Sequence, residues 1–504
     1  MSKPIRQVVI VGGGTAGWIT ASLLIKMLGK VISIRLVESE EIGIVGVGEA
    51  TIPPIMNFNN AIGMDEKAFI RETKATIKLG IQFENWGQVG DSYMHAFGGI
   101  GKDFPSCSFH HFWNRSQQLA QGFDFWDFSL GYQAARAGKF AKLDRIEGVN
   151  LPGLSYAYHF DAGLYALFLR KLAEQMGVVR TEGKVEQVQL CPDTGDVQAI
   201  VLASGERVDG DLFIDCTGLH ALLIEKTLNT GYEDWTHWLP ADSAMAVPCE
   251  SVEPITPYTK SIAHPNGWQW RIPLQHRIGN GFVYSSKYCS DEQAKTTLLA
   301  HLDGKPLAEP RKISFKTGRR RLQWNRNVVS IGLSSGFLEP LESTSIHLIQ
   351  SGALRLLKFF PNHGIQAADR DEFNRLSRIE FEQIRDFIIL HYHLNQRTDS
   401  QYWKDCRRMD IPASLQRKIA LYQQTGVVNR EQDDLFSEIA WQQVMTGQNL
   451  LPKDYHPIAD AISPEQLLDL MQNLKAIIDA TVAKLPEHAG FIAHCQSAPL
   501  KPYM

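Results

Sequence analysis

The apolar run Val8-Val9-Ile10-Val11 reads as a buried strand, and the pattern breaks at once into Gly12-Gly13-Gly14-Thr15-Ala16-Gly17-Trp18. Ile19 to Leu28 then carries helical spacing, Val31 to Val37 reads as a second strand, and Glu38 closes it, 26 positions after Gly12. Glycines at such a turn let backbone approach a pyrophosphate, which rests on the positive helix N-terminus, and an acid ending the second strand favours an unphosphorylated ribose. Gly12, Gly14, Thr15, Ala16, Gly17 and Glu38 are therefore predicted to hold a nucleotide.

The pattern then turns glycine-rich from Ile44 to Pro54, where closely spaced glycines let backbone pass against a flat ligand; Gly48, Glu49 and Ala50 are a second candidate wall. Asp65 to Thr76 reads as a helix and Ile77 to Phe83 alternates as a strand, so Thr76, Lys78 and Gly80 are expected on one face. A lysine between apolar neighbours ordinarily snorkels to water. Residues 85–160 concentrate aromatics, histidine and glycine, the composition of an aromatic-lined pocket or an aromatic core. Their histidine pairs lack metal-ligand spacing, so no metal site is expected.

A helix over about Ala162 to Met176 and short strands near 185–188 and 199–202 lead to an apolar strand ending in Asp215-Cys216-Thr217-Gly218. A third return runs from Asn327 to Gly336. Strands that come back from distant segments predict an α/β fold with a discontinuous Rossmann-type module and a mixed sheet, formed by residues 1–84 with 150–350; the strand ending in Asp215 to Gly218 resembles FAD-binding monooxygenase-like proteins, which implies that the module binds FAD. Residues 85–149 and 351–504 form a mainly helical, substrate-side region packed on it. Gly332 to Gly336 also fits G-x-S-x-G, but the hydrolase elbow needs a helix directly after its serine and Pro340 interrupts. The helix from about Asp371 to Leu394 reads as scaffold, and Arg319-Arg320-Arg321 as a solvated or flavin-phosphate-facing turn.

Composition narrows the partners. A formal charge of -4 over 504 residues gives no global attraction to nucleic acid or anionic membrane. Seven scattered cysteines without C-x-x-C fit a reducing cytoplasm, and no apolar run has the length of a membrane span.

Gly267-Trp268-Gln269-Trp270-Arg271-Ile272-Pro273, taken with Gly12 to Gly17, resembles the flavin-dependent halogenases, the family of the tryptophan halogenases. The resemblance also covers Gly46 to Pro53, Lys78 to Ile81, His95 to Gly98, Tyr158 to Asp161, Asp215 to Gly218 and Pro340 to Thr344, thinning beyond about Trp441. It implies an enzyme in which reduced FAD, delivered by a separate flavin reductase, forms a flavin hydroperoxide that halide attacks to give hypohalous acid. The resemblance further implies that Lys78 lies between flavin and substrate, that Glu342 stabilises the cationic ring and removes its proton, and that Ser343 supports them. The Thr344 and Ser345 N–H groups are implied to receive the halide, chloride or bromide, Ser345 standing where many members have glycine. Asp215, Gly332 and Leu338 join the cofactor residues, Trp268, Trp270, Ile272 and Pro273 wall off the flavin side, and His95, Phe97 and Trp441 contact the arene. Glu438 to Asn449 lacks the tyrosine pair with which tryptophan halogenases grip their amino acid, so an indole-like, uncharged aromatic is expected. The family pattern allows a homodimer. An FAD-dependent aromatic hydroxylase and a flavin-binding protein without turnover are the alternatives.

Overall fold

The computed structural model describes residues 4–41 and 48–497, so the expected wall residues Ile44 to Val47 lie outside the described residues. Strand β1 (Gln7–Val11) buries Val8 to Val11 completely, and helix α1 (Thr15–Leu28) follows it without a side-chain cap. Strand β2 (Ser33–Glu38) pairs in parallel with β1, which pairs on its other edge with Leu212–Asp215. Val328–Ser330 extends that edge in parallel and Trp324–Asn325 closes it antiparallel, while Val179–Glu182 lies beyond β2. One six-stranded sheet is thus assembled from four distant segments, as the recurring apolar runs predict. Helices Ala162–Gln175 and Ser345–Lys358 pack on α1 and cover the sheet.

The run expected as one strand over Ile77 to Phe83 is two. After β3 (Gly48–Ala50), strand β4 (Thr76–Lys78) enters a small sheet ordered β3, β7 (Ala157–Asp161), β4. Strand β5 (Gly80–Glu84) belongs instead to a seven-stranded sheet, between Thr259–His264 and β6 (Ser92–Ala96). Between them the Leu79 N–H donates to Pro257 O at 2.8 Å. A Cβ at Gly80 would lie 2.6 Å from His95 O, so only glycine lets β5 leave for the second sheet there. Lys78 accordingly ends β4 where the chain changes sheets, and Gly80 does not share its face.

Helix Ala367–His393 buries Phe381, Ile384, Phe387 and Ile388 beneath the large sheet. Helix Glu438–Gly447 is fastened to β6 by Gln443, whose amide accepts from Ala96 N at 2.9 Å and donates to Ala96 O at 3.1 Å. Gln443 so occupies the free edge of the outermost strand as another strand would. Arg319 and Arg320 correct an expectation: both are buried in strand Gly318–Arg320 and paired with Glu233 and Glu225, because a guanidinium in a core is tolerated only with its carboxylate. Among the described residues, no helix is long and apolar enough to cross a membrane.

Candidate functional site

At the β1–α1 turn, Gly12 has φ +112°, and a Cβ there would lie 2.2 Å from Cys216 O; one at Gly17 would meet Gly12 O at 1.9 Å. Gly14, the residue before α1, faces open space and offers no capping side chain, leaving the first helical N–H groups for an anion. The Glu38 carboxylate lies against Gly13, accepts from Trp18 Nε1 at 3.3 Å, and is ion-paired with Arg180 and, at 3.6 Å, Arg170. Gly332 has φ +78° and approaches Ala16, while Gly48 packs on Ile272. Burial pushes the Glu49 carboxyl up to about 7. Asp215 differs from the other cofactor candidates: its buried carboxylate accepts from Thr217 N and Oγ1 and from the N–H groups of Leu223 and Ile224, so it shapes its own loop. Leu338 is buried in the same hydrophobic core as the two tryptophans Trp268 and Trp270. Uncapped helix, glycine cradle and terminal acid fit a dinucleotide such as FAD.

Lys78 is fully buried, and its Nζ donates to Ser343 Oγ at 2.8 Å while standing 5.3 Å from the centre of the Phe97 ring. Burial lowers its pKa from 10.5 to about 7, against the opposing pull of Glu342, so ammonium and amine coexist near neutrality. Glu342 is also fully buried. Its Oε2 lies 2.8 Å from His95 Nδ1 and its Oε1 lies 2.9 Å from His391 Nε2. Burial alone would raise the Glu342 pKa, but His95 and His391 outweigh it and hold the carboxyl down at about 2.

The segment bearing Glu342 makes a second feature. Pro340–Glu342 is a 3-10 turn, Ser343 is left-handed (φ 58°, ψ 37°), and Thr344 returns to right-handed geometry (φ -90°, ψ -6°). Successive residues of opposite hand turn their N–H groups into one concavity, and helix Ser345–Lys358 begins there. Among the described residues, the Thr344 and Ser345 N–H groups have no hydrogen-bond partner. Such a nest accepts a small anion.

Around the amine, His95 meets Phe97, Phe387 and Phe436 with ring centroids 6.3, 5.6 and 6.2 Å away, and Phe436 stacks on Phe387 at 3.8 Å. Trp441 joins this cluster through Phe387, at 4.7 Å, and lies under Lys418. Phe97 also borders a small, open cleft lined by Phe128, Leu130, Ile146, Leu151 and Ile478 with glycines and a proline, and none of these lining side chains is charged. Trp268 and Trp270 lie on one face of strand Gly267–Pro273, their rings 6.2 Å apart. Trp268 Nε1 donates to Glu339 Oε2 at 3.1 Å, Tyr392 OH donates to the same oxygen, and burial pushes the Glu339 carboxyl up to about 7.

Residues 7–464 match the family model described as tryptophan halogenase. The chain belongs to the tryptophan halogenase family. A flavin-dependent halogenase from Xanthomonas campestris is 47% identical, with 99% of this chain and 100% of that one covered and a TM-score of 0.95. BrvH, a flavin-dependent halogenase from Brevundimonas sp. BAL3, is 44% identical over 97% and 99%, with a TM-score of 0.94. Tryptophan 7-halogenase RebH of Lentzea aerocolonigenes is 34% identical over 86% of this chain and 85% of its own. This halogenase is therefore a flavin-dependent oxidoreductase that uses halide.

In this halogenase Lys78, Ser343, Glu342, His95 and Phe97 come together from three separate segments. Among the described residues, Trp441 reaches this group through the Phe387 ring and shares no hydrogen bond or ring contact with its members. His391, Phe436, Glu339 and Arg180 escaped the sequence reading: His391 and Tyr392 look like the polar end of an amphipathic helix, and Arg180 sits in a short edge strand. Only the adjacency of Glu339 to Pro340-Leu341-Glu342 marked one of them.

Proposed function

We propose that this chain is a two-component halogenase of neutral, indole-like arenes, in which Lys78 delivers the halogen and Glu342 receives the displaced ring proton. The observation that carries this reading is the buried Lys78 amine, 2.8 Å from Ser343 Oγ and beside an anion nest in the same segment. We assign the flavin-holding role to residues 1–84 and 150–350, with Gly12, Gly14, Thr15, Ala16, Gly17 and Glu38 at the nucleotide. Gly48, Glu49, Ala50, Gly332 and Leu338 line its remaining length. Bound reduced FAD, renewed by a separate flavin reductase in the cytoplasm, supplies hypohalous acid from oxygen and halide.

Thr344 and Ser345 hold the chloride or bromide through their N–H groups. The Lys78 ammonium donates to the oxygen of the hypohalous acid, so that an arene carbon takes the halogen and the oxygen leaves as water with the lysine proton. The positive ring faces Glu342, which accepts the proton from the substituted carbon. His95 and Phe97 hold the electron-rich ring by stacking, with Trp441 behind Phe387. Trp268, Trp270, Ile272 and Pro273 keep the arene from the flavin, so halogenation replaces hydroxylation. The uncharged lining of the cleft favours a substrate without a zwitterionic head, because buried charges need partners.

The test is mass spectrometry of a mixture of protein, FAD, flavin reductase, NADH, bromide and indole. Brominated indole, absent when bromide or reductase is omitted, supports the reading. Oxygenated indole would assign a hydroxylase, and no turnover a flavin-binding protein.

A further inference from the structure

His391 is wholly buried near the C-terminal end of helix Ala367–His393, and no role above uses it. Its Nδ1 is 2.8 Å from Phe387 O. A carbonyl only accepts, so Nδ1 carries a hydrogen, and in a neutral ring Nε2 would then be bare. Nε2 nevertheless lies 2.9 Å from Glu342 Oε1, and neither atom has another partner among the described residues. Two buried lone pairs facing each other at that separation repel.

We propose that His391 is a positioning residue that shares a proton with Glu342, the pair holding one proton more than two facing acceptors would, so that Glu342 is kept fixed and charge-balanced at the arene. The helix C-terminus favours positive charge there. Aromatic rings box the imidazole: Phe83 at 4.8 Å, Phe387 at 5.2 Å and Trp86 at 6.1 Å between centroids. None of them accepts a conventional hydrogen bond, and their faces attract a cation. The other titratable groups facing the pair are Lys78 on β4 and His95 and Tyr93 on β6; Tyr93 OH accepts from Gln448 Nε2 at 3.2 Å. Tyr392, next along the helix, is committed to Glu339. His391 is thus the one imidazole that meets Glu342 from the helix side. Its consequence for turnover rests on the halogenase reading above, whereas the shared proton itself does not.

The test is ¹⁵N-histidine NMR of the full chain without flavin, with His391 assigned through its loss in His391→Gln. The expected result is a protonated Nε2 in the parent and a bare Nε2 in Glu342→Gln, whose amide donates where the carboxylate could not. A bare Nε2 in both proteins, or a protonated one in both, would overturn the proposal whether or not the chain halogenates anything. In bromination assays His391→Gln, which retains a donor, is expected to keep kcat within about threefold of the parent. His391→Phe is expected to lose about tenfold or more in kcat with arene KM little changed. Equal losses in both variants, or a loss confined to KM, would count against the role.

Discussion

Replacing Lys78 by methionine should make the protein more stable and inactive. Burial moves the amine from 10.5 to about 7, so between those values the unfolded chain binds a proton that the folded chain does not. Folding is then penalised most at and below pH 7, and the penalty fades as pH climbs toward 10.5. At pH 7 it amounts to about 4 kcal/mol, from 1.36 kcal/mol per tenfold change in proton affinity. Methionine fills a similar volume without charge but forfeits the bond to Ser343, worth about 1 kcal/mol. A net gain of about 3 kcal/mol corresponds to a rise in Tm of about 3 °C for a chain of this length. Calorimetry of both proteins should show this gain near pH 7 and less than half of it at about pH 9.5. A variant that melts no higher than the parent at pH 7, with a difference independent of pH, would refute the reasoning.

The remaining expectations concern the other groups of the site. Glu342→Gln should retain flavin and reduce arene bromination about 100-fold or more, read as product per minute at saturating indole. Phe436→Ala should cost about 3–5 kcal/mol in denaturant melts and raise the turnover of arenes larger than indole relative to indole, because it removes the ring stacked on Phe387. Gly13→Ala should abolish FAD binding in calorimetric titration, since the new methyl would lie where the Glu38 carboxylate now does.

How far the chain was legible differed between its parts for physical reasons. Val8 to Val11, the glycine turn and Glu38 are contiguous, and local apolar patterning plus one turn suffices to define them. Lys78 was readable as a residue but not in its setting. Alternation ran straight through Leu79, and only the close approach of Gly80 to His95 O, a contact with the neighbouring strand β6, breaks one strand into two. The Arg319 to Arg321 run misled because charge patterning cannot reveal carboxylates as distant as Glu225 and Glu233. His391 and Phe436 became visible only once Glu342 was in place, because both act through pairings across the fold that leave no local period. Asp215 was found by its motif, yet its carboxylate serves the loop that follows it.

Halogen transfer to the arene is proposed to depend on one buried amine, which protonates the departing oxygen of the hypohalous acid. Its most direct measurement is the ratio of brominated indole formed to reduced flavin consumed, in parent and Lys78→Met proteins matched for flavin reoxidation rate. The variant is expected to consume flavin at the parental rate while its product yield falls at least about 100-fold. An unchanged yield in the variant would contradict it.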